Sequence, residues 1–100
     1  MNYTIGQIVT MKINSGEELI TKILEVNDDH LMISMPVAIA PAQQGMTLMP
    51  SFFTADRALP VRINTSAIAM MASTADEIQV KYIEATTGIS VPPKKQLILG

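Results

Sequence analysis

The chain has 100 residues, 48% of them hydrophobic, enough apolar material for one compact core and too little length for a second domain. Seven Lys and Arg against nine Asp and Glu give a formal net charge of -2, which excludes the broad basic surface that usually grips a phosphate backbone. The absence of Cys excludes disulfides and thiolate zinc sites, and suits a reducing, cytoplasmic setting.

The N-terminal MNYTIGQIVTMK has no basic segment followed by a long apolar run, and no stretch approaches the roughly 18 apolar residues of a membrane span. The expectation is therefore a soluble, unprocessed chain without a membrane partner. Eight Met but only four aromatic residues point to a pliable aliphatic core with few ring platforms for stacking bases.

A first strand is expected over about residues 7–13, where Val9, Met11 and Ile13 alternate with Thr10 and Lys12. Asn14-Ser15-Gly16-Glu17 then reads as a tight hairpin turn, because Gly accepts positive φ and Asn or Ser bonds the local backbone. The second strand, about 18–27, is apolar on both faces: Leu19, Thr21 and Ile23 on one, Ile20, Lys22, Leu24 and Val26 on the other. A strongly bent strand shared by two sheets of a small barrel needs such a pattern, and burial in an interface would explain it equally well. After the polar turn Asn27-Asp28-Asp29-His30, a third strand over about 30–40 carries Leu31, Ile33, Met35, Val37 and Ile39 on a single face. Pro36 lacks an N–H to donate, so an edge or a bulge is expected there.

Residues 41–60 hold three prolines and a turn-like Gln43-Gln44-Gly45 ahead of a short apolar run from Met46 to Phe53. They predict a fourth strand spanning about 46–64, interrupted by an irregular excursion and resumed at Val61-Arg62-Ile63. Asn64-Thr65-Ser66 makes a turn, and a last short strand follows over about 67–72. Its Ala67, Ile68, Ala69, Met70 and Met71 carry no charge on either face. An uncharged, flat edge invites another chain unless something covers it, so these five residues are the candidate oligomer interface.

Ser73-Thr74-Ala75-Asp76-Glu77 opens a helix over about 74–87, with Thr74 expected to cap it and Glu77 to complete a capping box. Ala75, Ile78, Tyr82, Ile83 and Ala85 share its apolar side, Glu77 and Lys81 form an i, i+4 pair, and Gly88 ends it. The tail 89–100, ISVPPKKQLILG, stiffens at Pro92-Pro93 and contains Lys94 and Lys95; it reads as a mobile arm, a last strand or a docking segment. Residues 1–88 form a single expected domain: mainly β, a strongly bent five-stranded open barrel with one C-terminal α-helix.

The hairpin VTMKINSGEELITKILEVNDDHLMIS resembles the first signature of the Sm and LSm family, in which a Gly turn joins two strands and an acidic turn follows the long second strand. VRINTSAIAMM is similar to a weakened second signature, and the Gly-Glu-Glu turn with a C-terminal helix resembles small Sm-like proteins of tailed phages. The resemblance covers about half the chain. It implies a homo-oligomeric ring of five to seven subunits, in which the fourth and fifth strands pair across subunits, and RNA bases bound near the pore. Carried over residue by residue, Asp28 and His30 match the acidic and base-stacking positions if one residue is inserted after Gly16, and Arg62 matches the basic position. Asn64, at the turn just beyond, completes the candidate nucleic-acid set. The family's base-reading Asn is replaced by Leu31 or Met32, and the Gly after its basic residue by Ile63, so uridine recognition is less supported than fold and assembly.

Each candidate also has a plain reading. Asp, Asn and His are common turn residues, and Arg62 is the outward residue between Val61 and Ile63. A ring changes the weight of Arg62, because one copy per subunit becomes a circle of cations. One His without Cys, GxSxG or a Walker-type Gly-Lys motif leaves little for catalysis, and no cofactor or metal is expected. Two functions remain as expectations: a ring that binds single-stranded RNA or DNA, and an adaptor ring that docks a protein partner through its faces or its PPKKQLILG arm.

Overall fold

Alternation at Val9, Met11 and Ile13 produces β1 (Ile8–Ile13) of a computed structural model that describes residues 3–43 and 45–88. The tail 89–100, with its alternative roles, lies outside the described residues. β1 turns at Gly16, whose φ of +95° is open to glycine at no steric cost, into β2 (Glu18–Val26). The chain continues through β3 (His30–Ala42), β4 (Gly45–Pro50), β5 (Val61–Asn64), a 3-10 turn at Thr65–Ala67, β6 (Ile68–Ser73) and α1 (Asp76–Thr87). The fold is mainly β. All pairings are antiparallel, in the order β4-β3-β2-β1-β6, with β5 also on β3. The sheet is strongly bent and open rather than closed into a barrel. The expected fourth strand arrives as two pieces, β4 and β5, on the same side of β3, with residues 51–60 between them.

β3 is bent where Pro36 predicted an irregularity. Ile20 pairs with Val37 and Lys22 with Ser34, so two residues, Met35 and Pro36, stand opposite Thr21 alone. Met35 takes a φ of +45°, unusual for a residue with a side chain. Two hydroxyls hold the bend: Thr21 Oγ1 and Tyr82 Oη both donate to the Ser34 carbonyl, at 2.7 and 2.6 Å. The extra residue reverses the side-chain alternation of β3, which corrects the expectation of a single apolar face. Leu31 and Ile33 point into one core, with Val9, Met11, Leu19 and Ile23; Val37 and Ile39 point into another, with Ile8, Ile20 and Tyr82.

Two cores on opposite sides of one sheet explain why β2 is apolar on both faces. Strands supply every fully buried residue of the first core, and Tyr3 packs against it from outside the strands. The second is covered by α1, which lays Ile78, Tyr82 and Ile83 against it. Val9, Met11, Ile20, Ile23 and Ile33 are almost wholly buried, each contributing about 1.5–3 kcal/mol of transfer free energy.

The helix start differs from expectation. Its N-cap is Ala75, without a side-chain cap bond, because the buried Thr74 hydroxyl lies 2.9 Å from Thr10 Oγ1 and ties the strand end to β1 instead. Asp76 and Glu77 still place negative charge on the first turn, where the helix dipole favours it. The expected Glu77–Lys81 ion pair does not form. Gly88 ends the helix in the left-handed region, its N–H donating to the Glu84 carbonyl at 3.0 Å. No helix among the described residues is long and apolar enough to cross a membrane.

Candidate functional site

His30 opens β3 and Asn64 closes β5, and the two residues are directly paired, as are Met32 and Arg62. Side chains of paired residues stand side by side on one face, so this register joins segments 34 positions apart at the end of the 27–30 turn. The turn is closed by a hydrogen bond from Asn27 N to the His30 carbonyl (3.0 Å), and it is fastened to β5 by Thr65 N donating to the Asp29 carbonyl (3.0 Å). The first bond closes the turn on itself, and the second ties it to the segment that follows β5.

His30 is held from two sides. Its Nδ1 lies 2.6 Å from Asp29 Oδ1, and its Nε2 lies 3.1 Å from Asn27 Nδ2. Asn27 Nδ2 also donates to Glu25 Oε1 at 3.0 Å, so the amide nitrogen faces the ring. This arrangement fits a neutral imidazole that donates from Nδ1 and accepts at Nε2. The side chain is 20% exposed. Arg62 is more open. It is 55% exposed, its Nε donates to Asn64 Oδ1 at 3.3 Å, and its guanidinium stands 3.7 Å from Asp29 Oδ2. The hydrogen bond from His30 is the main cause holding the Asp29 carboxyl below its ordinary value; desolvation, the next in size, opposes it, and the positive charge of Arg62 adds to the lowering.

Three of the four expected site residues therefore meet: His30, Arg62 and Asn64. Asp28 does not join them. It is exposed, no described residue bonds its carboxylate, and its neighbour Asp29 occupies the central place. The reason is the turn geometry: Asp29 immediately precedes the first paired residue of β3, so its carboxylate can reach both the adjacent imidazole and β5. Asn27, read from sequence only as a turn former, is the second support of His30. Among the described residues no group of three His, Cys, Asp or Glu could hold a metal ion. The cluster offers an exposed guanidinium beside the Asn64 amide, which suits recognition by hydrogen bonds, while both ring nitrogens of His30 are engaged within it. It lacks an activated nucleophile.

The five candidate interface residues are divided between two elements and two faces of the sheet. Ala67 belongs to the 3-10 turn, and Ile68 and Met71 pack inward on the first core. Ala69 and Met70 are the exposed members, Met70 at 65%. β6 pairs only with β1, and β4 and β5 only with β3, so each end of the sheet has one strand side unpaired within the described residues. No protein-family model and no curated protein matches the chain.

Proposed function

We propose that the protein is a ring-forming Sm-like module that binds single-stranded RNA or DNA at the His30–Arg62–Asn64 cluster. Assembly would proceed by strand addition, the bare side of β6 joining the bare side of β4 in the next copy. Head-to-tail contacts of this kind close into rings when the rotation per subunit permits. The observation that carries the reading is the His30–Asn64 pairing, which gathers the cation, the amide and the imidazole of each subunit in one spot. Repeated around a ring, that spot becomes a circle of guanidinium groups that one subunit's charge of -2 conceals.

Replacing Arg62 with Ala should weaken binding of a single-stranded oligonucleotide at least about tenfold, or about 1.4 kcal/mol, and reduce the slope of log K against log salt. His30→Ala should weaken it less. Equal binding by wild type and Arg62→Ala would defeat the assignment.

A second reading has its own observation. Asp29 already pairs with Arg62, and Glu25 accepts a hydrogen bond from Asn27 beside His30, a local excess of negative charge that opposes a phosphate backbone. An adaptor ring that docks a protein partner accommodates this excess. Absence of binding to any oligonucleotide pool at low salt, with assembly intact, would select it.

A further inference from the structure

The bend of β3 and the end of α1 share a small cavity that the polar cluster does not use. Met35, Pro36 and Val37 line it from the bend, Phe52 and Leu59 from residues 51–60, and Ala85 and Thr86 from the helix. We propose that this cavity seats the side chain of Ile89, so that the tail 89–100 begins by folding back over the bend and leaves the domain from a fixed point. The inference is independent of the assembly reading.

The size and chemistry of the cavity describe its occupant. Its volume is about 60 Å³. One water needs about 10–15 Å³, so the space suits a single branched aliphatic side chain and nothing longer. Its polar members ask for no ligand: the Thr86 hydroxyl donates to the Tyr82 carbonyl at 2.8 Å, Asp56 Oδ1 accepts from Ala58 N at 2.9 Å, and Arg57 is open to solvent. Phe52 and Leu59 are large apolar side chains left 48% and 60% exposed beside it. Covering them removes apolar surface from water, which favours an apolar occupant.

Chain continuity selects that occupant. The described residues end at Gly88, just after Thr86 of the cavity wall. Gly88 takes a φ of +73°, a left-handed conformation that turns the chain off the helix axis. Ile89 comes next and is the first large apolar residue after Ile83. The chain from Thr86 to Ile89 spans at most about 10 Å, so reaching the cavity costs little loop closure. A second copy or a free peptide would carry the cost of association as well. Leu97, Ile98 and Leu99 lie beyond Pro92-Pro93, whose fixed φ favours an extended course, and are less suited to return.

The amides of Ala58 and Leu59 report occupancy, since both donate to Asp56 within the segment that Ile89 would cover. In the full chain, Ile89→Ser should speed their hydrogen exchange at least about tenfold and leave the amides of β1 unchanged, whereas Ile98→Ser should change neither. The chain has no Cys, so Ile89→Cys combined with Leu59→Cys should oxidise to a disulfide within one chain, at a rate independent of protein concentration. Unchanged exchange in Ile89→Ser, an increase shared by β1, or an equal response to Ile98→Ser would each overturn the inference. Disulfides formed only between chains would overturn it as well, and would make a second copy the occupant.

Discussion

The two halves of β3 keep different company. His30 to Ser34 pair with β5 and with the far end of β2, and send Leu31 and Ile33 into a core whose buried residues all come from strands. Val37 to Ala42 pair with β4 and the start of β2, and Val37 and Ile39 lie under α1. One strand thus serves two cores because an added residue at Met35-Pro36 reverses its faces. The polar cluster of His30, Arg62 and Asn64 stands at the end of the first of these halves.

That separation can be broken from the inside. Ile23 and Ile20 are both fully buried and only three residues apart, yet they face different cores. Ile23→Ala should cost about 2–5 kcal/mol, read as a lower urea midpoint by every probe, because it opens a cavity among five strands. Ile20→Ala should cost a similar amount overall, with loss of hydrogen-exchange protection concentrated in α1. If both variants lower protection uniformly, the two cores unfold as one unit and the distinction between the halves of β3 has no energetic meaning.

Much of the fold was legible because it depends on local pattern. Alternation placed β1 and β2, Gly16 and Gly88 marked a turn and a helix end, and Pro36 marked the bend. What the bend did to side-chain direction was not legible: a single inserted residue inverts everything after it, and no alternation pattern records the inversion when both faces are apolar. Thr74 misled for a related reason. Its hydroxyl matches a cap in isolation, and a tertiary partner, Thr10, took it instead. At the site, His30, Arg62 and Asn64 were found through resemblance, whereas Asp29 and Asn27 were missed as contacts because turn residues of the same chemical type differ only in direction.

The tie between the halves can be tested at Tyr82. Its hydroxyl reaches from the helix to Ser34, at the point where β3 changes faces. Tyr82→Phe keeps the ring in the second core and removes this hydrogen bond, at a cost of about 0.5–1.5 kcal/mol. The lower part of that range is expected, since Thr21 continues to satisfy the Ser34 carbonyl. Burial raises the pKa of the phenol above its ordinary value, partly offset by hydrogen bonding. The folded value then exceeds the unfolded one, so the stabilisation is present below about pH 10 and is lost as pH rises through the folded value. Wild type should therefore lose stability in strong alkali faster than Tyr82→Phe. Parallel alkaline limbs would mean that Tyr82 does not tie the helix to the bend.

The smallest effect belongs to the polar end. Asp29 is exposed, so water screens its contacts with His30 and Arg62, and its value to stability is slight compared with any core change. Its sign is nevertheless fixed. The carboxyl is held below its ordinary value in the folded state, so the stabilisation is complete above the unfolded pKa and disappears as pH falls through the folded one. Asp29→Asn should be less stable than wild type at neutral pH, and the gap should close in acid below the ordinary carboxylate range. The same substitution removes the carboxylate paired with Arg62 and frees His30 Nδ1. Oligonucleotide binding, if it uses this cluster, should then tighten even as the fold weakens. Stability and binding moving in opposite directions would identify the cluster as a recognition site; a loss of both would mean that Asp29 serves only to shape the turn.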